Sequence, residues 1–169
     1  MSASASNPGR VVVASDHGGY PLKEAIKRHL QSKSVPILDA GTNSTEACDY
    51  PVFAYKVAKA VSIRKADVGI LICKSGNGMA MVANKVPNVR AAICFDKDVA
   101  ALSRLHNDAN ILVLGSEHLF DDPELIVKSW LKTNFEGGRH ARRVKKIDQI
   151  EKKTFAEQCR TMKKGPKKR

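Results

Sequence analysis

Two short runs, residues 10–15 (RVVVAS) and 67–73 (DVGILIC), are apolar on both of their alternating faces. A strand that buries both faces belongs inside a parallel sheet covered on each side by helices. Residues 35–39, 90–94 and 110–114 read as further strands, with β-branched and apolar residues bounded by turn formers. Between the strands, residues 21–31, 51–63, 78–84, 97–105 and 122–132 repeat apolar side chains at helical three and four spacing. This alternation predicts an α/β fold, a Rossmann-like three-layer αβα sandwich with a five-stranded parallel sheet. A last helix is expected from near Arg139 to about Cys159, beyond the sheet and able to pack on a partner subunit. At 169 residues the chain has room for one domain. We expect it over residues 10–158, with a disordered N-terminal tail at 1–9 and a basic disordered tail at 159–169.

The net charge of +12 raises the question of nucleic acid. Residues 139–169 hold 13 Lys/Arg against 3 Asp/Glu, whereas the other residues hold 16 against 14. The excess is therefore a property of the C-terminal end, where a solubilising tail explains it and nucleic acid is not an expected partner. No apolar run reaches the length of a membrane span and residues 1–10 lack the apolar stretch of a secretory signal, so a cytoplasmic protein is expected. The four cysteines (Cys48, Cys73, Cys94, Cys159) form no CxxC pair and no zinc-ligand spacing, so reduced thiols and no structural metal are expected.

In a doubly wound sheet, ligands bind at the carboxyl ends of the strands. The loops to inspect there are residues 16–19, 41–50, 73–78, 95–96 and those from Gly115 onward. Cys73-Lys74-Ser75-Gly76-Asn77-Gly78 joins a buried strand to a helix, and such a loop can turn several backbone N–H groups toward one anion. The helix N-terminus and the Lys74 charge would favour a Cys73 thiolate, making this thiol a candidate base or nucleophile. A buried strand-end thiol beside a glycine-requiring turn explains the same segment. Asp16 and His17, after the first strand, can position a hydroxyl and shift a proton, or can be a helix cap and a surface histidine. His106, in SRLHNDAN, can act as a general acid or sit as a favourable cation at a helix C-terminus. These three segments are expected at one sheet edge. Arg139 and Arg143, four apart, offer two guanidinium forks for a phosphate or belong to a solvated basic face. Neither GxGxxG nor GxxxxGK[ST] is present, which disfavours a nucleotide site.

Five segments in order, SDHGGYPLKE, CDYP, ILICKSGNGMAMVANKVPNVRAA, SRLHNDANILVLG and GGRHARRV, resemble the ribose-5-phosphate isomerase B family, whose relatives include galactose-6-phosphate isomerase subunits. The resemblance covers residues 11–150. It implies a cofactor-free, metal-free aldose–ketose isomerase acting on a phosphorylated sugar through an enediolate. It also implies a homodimer, or a dimer of dimers, with active sites shared between subunits. Carried onto this sequence, Cys73 is the base, and Ser75, where threonine is usual, assists proton transfer between oxygens. Asp16 and His106 correspond to the ring-opening pair. His17, Asp49, Tyr50 and Asn107 correspond to substrate contacts, the loop Lys74, Gly76, Asn77 and Gly78 to the enediolate cradle, and Arg139 and Arg143, with His140, to the phosphate grip. The chain departs from the family pattern at Lys74 (usually glycine), Asn77 (usually apolar) and Glu117 (usually arginine), and a carboxylate at 117 repels a phosphate unless it turns away or pairs with a base. The expected activity is the interconversion of ribose 5-phosphate and ribulose 5-phosphate. Two alternatives stand beside it: another sugar phosphate, a tetrose or hexose, or an inactive member that binds an acidic partner through the basic tail.

Overall fold

A computed structural model describes residues 9–163. Two compact units divide the chain, Met1–Phe135 and Glu136–Arg169. In the first, β1 (Val11–Ser15), β2 (Ile37–Asp39), β3 (Val68–Cys73), β4 (Ala91–Ile93) and β5 (Ile111–Gly115) form one sheet in the order β2-β1-β3-β5-β4. Every neighbouring pair is parallel. Five helices connect and follow them: α1 (Tyr20–Ser32), α2 (Tyr50–Ser62), α3 (Asn77–Ala83), α4 (Lys97–Asn107) and α5 (Pro123–Lys132). The α/β class and the five parallel strands follow the expectation from the sequence. A 3-10 turn at His17–Gly19, not foreseen, separates β1 from α1.

The period of two along each strand sorts its side chains between two cores. Val12, Ala14, Leu71, Cys73, Ile111 and Val113 meet α2 and α3 through Ala54, Val57, Ala58, Met79 and Ala83. Val11, Val13, Ile70, Ile72, Leu112 and Leu114 face the other way, against Ile26, Leu30, Ala100, Ile126, Val127 and Trp130 of α1, α4 and α5. That is why β1, β3 and β5 read as unbroken apolar runs. Helix starts are legible as well: Asp96 and Asp122 accept backbone N–H bonds at the first turns of α4 and α5, and proline occupies the first turn of α1, α2 and α5.

Because α1 covers one face of the sheet and α3 the other, the loops after the adjacent strands β1 and β3 part in opposite directions. The crevice between them is the topological switch point of the sheet.

The second unit holds α6 (Gly138–Lys163), which starts where expected and runs past the expected end near Cys159. Of the tails expected from the sequence, residues 1–8 and 164–169 lie outside the described residues. No helix among the described residues is long and apolar enough to cross a membrane.

Candidate active site

The end of β1 is fixed by its own turn. Asp16 is buried, and its Oδ1 accepts the Gly19 N–H at 3.1 Å, so its carboxylate caps the 3-10 turn at the switch point. Half-buried His17 ties this turn to the loop after β2: its Nδ1 lies 3.2 Å from both the backbone N and the carbonyl O of Cys48 and 3.9 Å from the Cys48 Sγ. Cys48, which sequence reasoning passed over as a reduced thiol, therefore braces the loop that delivers Asp49 and Tyr50. Both of those are exposed at the start of α2, and Asp49 makes no side-chain cap bond there.

At the end of β3 the chain turns at Gly76, whose φ of +81° is a left-handed conformation that glycine alone adopts without strain. The turn aims the Gly76 N–H at the Cys73 Sγ, 3.1 Å away. Gly78 lies under the Tyr50 ring so closely that a Cβ there would come within 2.5 Å of the ring carbon Cζ. The Ser75 Oγ accepts the Asn77 N–H at 3.4 Å.

The thiol does not titrate as easily as the sequence suggests. Burial pushes the Cys73 pKa above its ordinary value, and the Asp16 charge adds to the rise. Backbone N–H groups of Gly76, Ser75 and Met79 pull the other way and lose to the desolvation. The Lys74 ammonium lies 3.6 Å from the Glu117 Oε1.

β5, inserted between β3 and β4, brings its loop beside the thiol. Gly115 is in register with Cys73, the Ser116 N–H donates to the Cys73 carbonyl at 2.8 Å, and the Glu117 N–H donates to the Lys74 carbonyl at 3.1 Å. The Ser116 Oγ donates to the Gly18 carbonyl at 3.2 Å, joining this loop to the turn after β1. Nothing in the local sequence of Ser116 signals this role.

His106 and Asn107 are not at this edge, which corrects the expectation that they gather with Asp16 and Cys73. Helix α4 starts at Asp96, after the carboxyl end of β4, and its 11 residues carry it about 16 Å back toward the start of β5. There the Arg90 Nε donates to the Asn107 and Asp108 carbonyls at 3.2 and 2.9 Å, among residues that precede β4 and β5. A helix following a parallel strand runs antiparallel to it, so the residue before the next strand lies at the amino edge. Asp16, His17, Asp49, Tyr50 and the Cys73–Gly78 loop are thus brought together within the first unit, and His106 and Asn107 are not. Arg139, His140 and Arg143 belong to the second unit, where the Arg139 Nε lies 3.2 Å from the His140 Nε2, and Arg139 and Arg143 are exposed one turn apart on α6.

A parallel α/β sheet with a thiol, a carboxylate and an imidazole around its switch point defines a small-molecule enzyme of the doubly wound class. The chain belongs to the ribose/galactose isomerase family, whose model matches residues 11–147. It is 42% identical to ribose-5-phosphate isomerase B of Escherichia coli over 145 residues, which is 85% of this chain and 97% of that protein. It is 46% identical to the probable ribose-5-phosphate isomerase B of Mycoplasma genitalium over 147 residues, with the same coverage. Among solved structures, ribose-5-phosphate isomerase B of Clostridium thermocellum superposes with a TM-score of 0.83 at 49% identity, covering 86% of this chain and 99% of that one. The Mycoplasma genitalium enzyme with bound ribulose-5-phosphate gives a TM-score of 0.81 at 46% identity, covering 85% and 96%.

Proposed function

We propose that this protein interconverts ribose 5-phosphate and ribulose 5-phosphate through an enediolate, with the Cys73 thiolate as the carbon base. The observation that carries this reading is the Cys73 Sγ held against the Gly76 N–H at the switch point, in a chain so similar to ribose-5-phosphate isomerases B. Asp16 and His106 open the furanose, moving the O1 proton to the ring oxygen. Cys73 then takes the proton from C2 and returns it to C1, while Ser75 relays a proton between O1 and O2. Backbone N–H groups of the 73–78 loop, which Gly76, Asn77 and Gly78 shape, steady the charge that develops on the enediolate oxygens. His17, Asp49, Tyr50 and Asn107 hold the sugar, Lys74 stands at the rim of the substrate crevice, and Arg139 and Arg143 grip the phosphate. The isomerase domain is residues 10–158, and the enzyme works in the cytoplasm without a cofactor.

We further propose a homodimer with shared sites, in which the partner copy supplies His106 and Asn107 to each Cys73 loop. The length of α4, which separates His106 from Cys73 within one chain, supports this arrangement. A subunit-mixing experiment tests it. Cys73→Ala and His106→Ala proteins, each nearly inactive alone, regain activity when unfolded, mixed in equal amounts and refolded together. Half of the dimers are then mixed and carry one intact site each, giving roughly a quarter of wild-type activity. Absence of any regain rules out the shared site.

The activity itself is tested on ribose 5-phosphate beside tetrose and hexose phosphates, with turnover followed over a range of pH. The raised Cys73 pKa fixes the sign of the profile: the thiolate fraction grows as pH rises, so kcat/KM, which reports the free enzyme, climbs on the alkaline side to beyond the ordinary thiol range. A kcat/KM independent of pH between about 6 and 10 would exclude the thiol as the base. No turnover on any of these sugars would overturn the isomerase reading and turn attention to an acidic partner for the basic tail.

A further inference from the structure

Lys74 leaves the catalytic loop and crosses the turn after β1. Its aliphatic stem lies over Gly18 so tightly that a Cβ there would meet the Lys74 Cγ at 2.6 Å and its Cε at 3.3 Å. The ammonium ends 3.6 Å from the Glu117 Oε1, on the loop after β5, and both side chains are more than half exposed, at 63% and 55%. Glu117 is held in place from below, since its N–H donates to the Lys74 carbonyl and the neighbouring Ser116 joins the same turn. One lysine therefore spans the loops after β1, β3 and β5 at the mouth of the crevice.

An ion pair this exposed contributes little to stability and opens readily, because water competes with each charge. A phosphate dianion offers an ammonium more charge and more acceptor oxygens than one carboxylate does. We propose that Lys74 is the mobile phosphate ligand of this site and that Glu117 is its resting partner, which gives up the ammonium when a phosphorylated sugar enters. This deepens the isomerase reading and rests on it. In the proposed arrangement Lys74 brings a cation from the catalytic loop to the phosphate. Glu117, 55% exposed, is paired while the site is empty and has room to turn to solvent, away from the phosphate, once the ammonium leaves it.

The test reads binding directly, so it stands apart from turnover. Affinities of wild type, Lys74→Met and Glu117→Gln are measured by calorimetry for ribulose 5-phosphate, inorganic phosphate and unphosphorylated ribulose. Lys74→Met keeps the stem over Gly18 and removes the charge. It is expected to weaken both phosphorylated probes roughly 10-fold, the worth of one charge-assisted hydrogen bond at a partly exposed site, and to leave ribulose unaffected. Lys74→Arg restores most of the loss. Glu117→Gln tightens phosphate binding a few-fold, because the ammonium no longer has a competing partner. Equal weakening of ribulose and ribulose 5-phosphate by Lys74→Met would assign Lys74 a structural role and overturn the proposal. Weaker phosphate binding in Glu117→Gln would overturn the part assigned to Glu117. Failure of every protein, wild type included, to bind ribulose 5-phosphate more tightly than ribulose would instead overturn the sugar-phosphate reading itself.

Discussion

Replacing Cys73 by alanine is expected to lower kcat for ribose 5-phosphate by about 10²–10⁴-fold, the usual contribution of a positioned general base. The side chain is 6% exposed in the core shared by β1, β3, α2 and α3, so the variant loses one sulphur's worth of packing and keeps its fold. The thermal midpoint should move by only a few degrees while turnover collapses. Exchange of the C2 proton with deuterated solvent gives a second readout, since it requires the carbon base and should fall with kcat. Cys73→Ser should be nearly as impaired, because a serine hydroxyl in the same N–H setting ionises far less readily than a thiol. Turnover that survives either change would remove Cys73 from the proton-transfer step and leave the enzyme class standing.

Lys23→Met should be the most damaging change away from the reacting atoms, at about 2–3 kcal/mol of stability. Lys23 is 1% exposed, and its ammonium donates to the Asp39 Oδ2 and to the Thr42 carbonyl, each at 2.7 Å. Methionine fills the same volume and leaves the buried Thr42 carbonyl without that donor. Asp39 keeps Lys27 and the Gly41 N–H, which limits the loss on its side. For a chain of this size the midpoint falls by roughly 4–12 °C. Thr42 also donates its N–H to the Ser15 carbonyl, so the loop that runs on to Cys48, Asp49 and Tyr50 is pinned at this point. Its loosening should raise KM more than it lowers kcat. The effect also depends on pH with a defined sign. Burial alone would raise the Asp39 pKa, but hydrogen bonds from Lys23, Lys27 and Gly41 hold it below the usual value. Asp39 therefore stabilises the fold above the ordinary carboxylate range, and that contribution is lost as pH falls through its depressed value. In Lys23→Met the acid-side loss should shrink. A variant within about 0.5 kcal/mol of wild type at neutral pH would show that the buried ammonium is dispensable.

Much of the candidate site's placement was legible because its parts are local. Cys73 ends a strand that an apolar run defines, Asp16 and Gly76 lie just beyond such strands, and a doubly wound sheet places its ligands there. Lys23 was missed although a signal existed: it falls at helical spacing with Ile26 and Leu30, the other buried positions of α1. A lysine in an apolar stripe asks for a buried partner, and Asp39 and Thr42 supply it. His106 was misplaced for a different reason. A polar stretch at the end of a helix looks like a loop at the site, yet the helix has by then carried the chain to the far edge of the sheet.

By itself the sequence determined the class of fold, the bounds of nearly every element and the thiol loop, because hydrophobic period, caps and a left-handed glycine act over a few residues. Only the tertiary structure decided that β5 enters between β3 and β4, since strand order depends on contacts between residues far apart in the chain. That choice sets Ser116 and Glu117 against Cys73 and Lys74. It also took the folded chain to bury the Cys73 thiol deeply enough for desolvation to outweigh the N–H groups around it, a balance that no local pattern encodes.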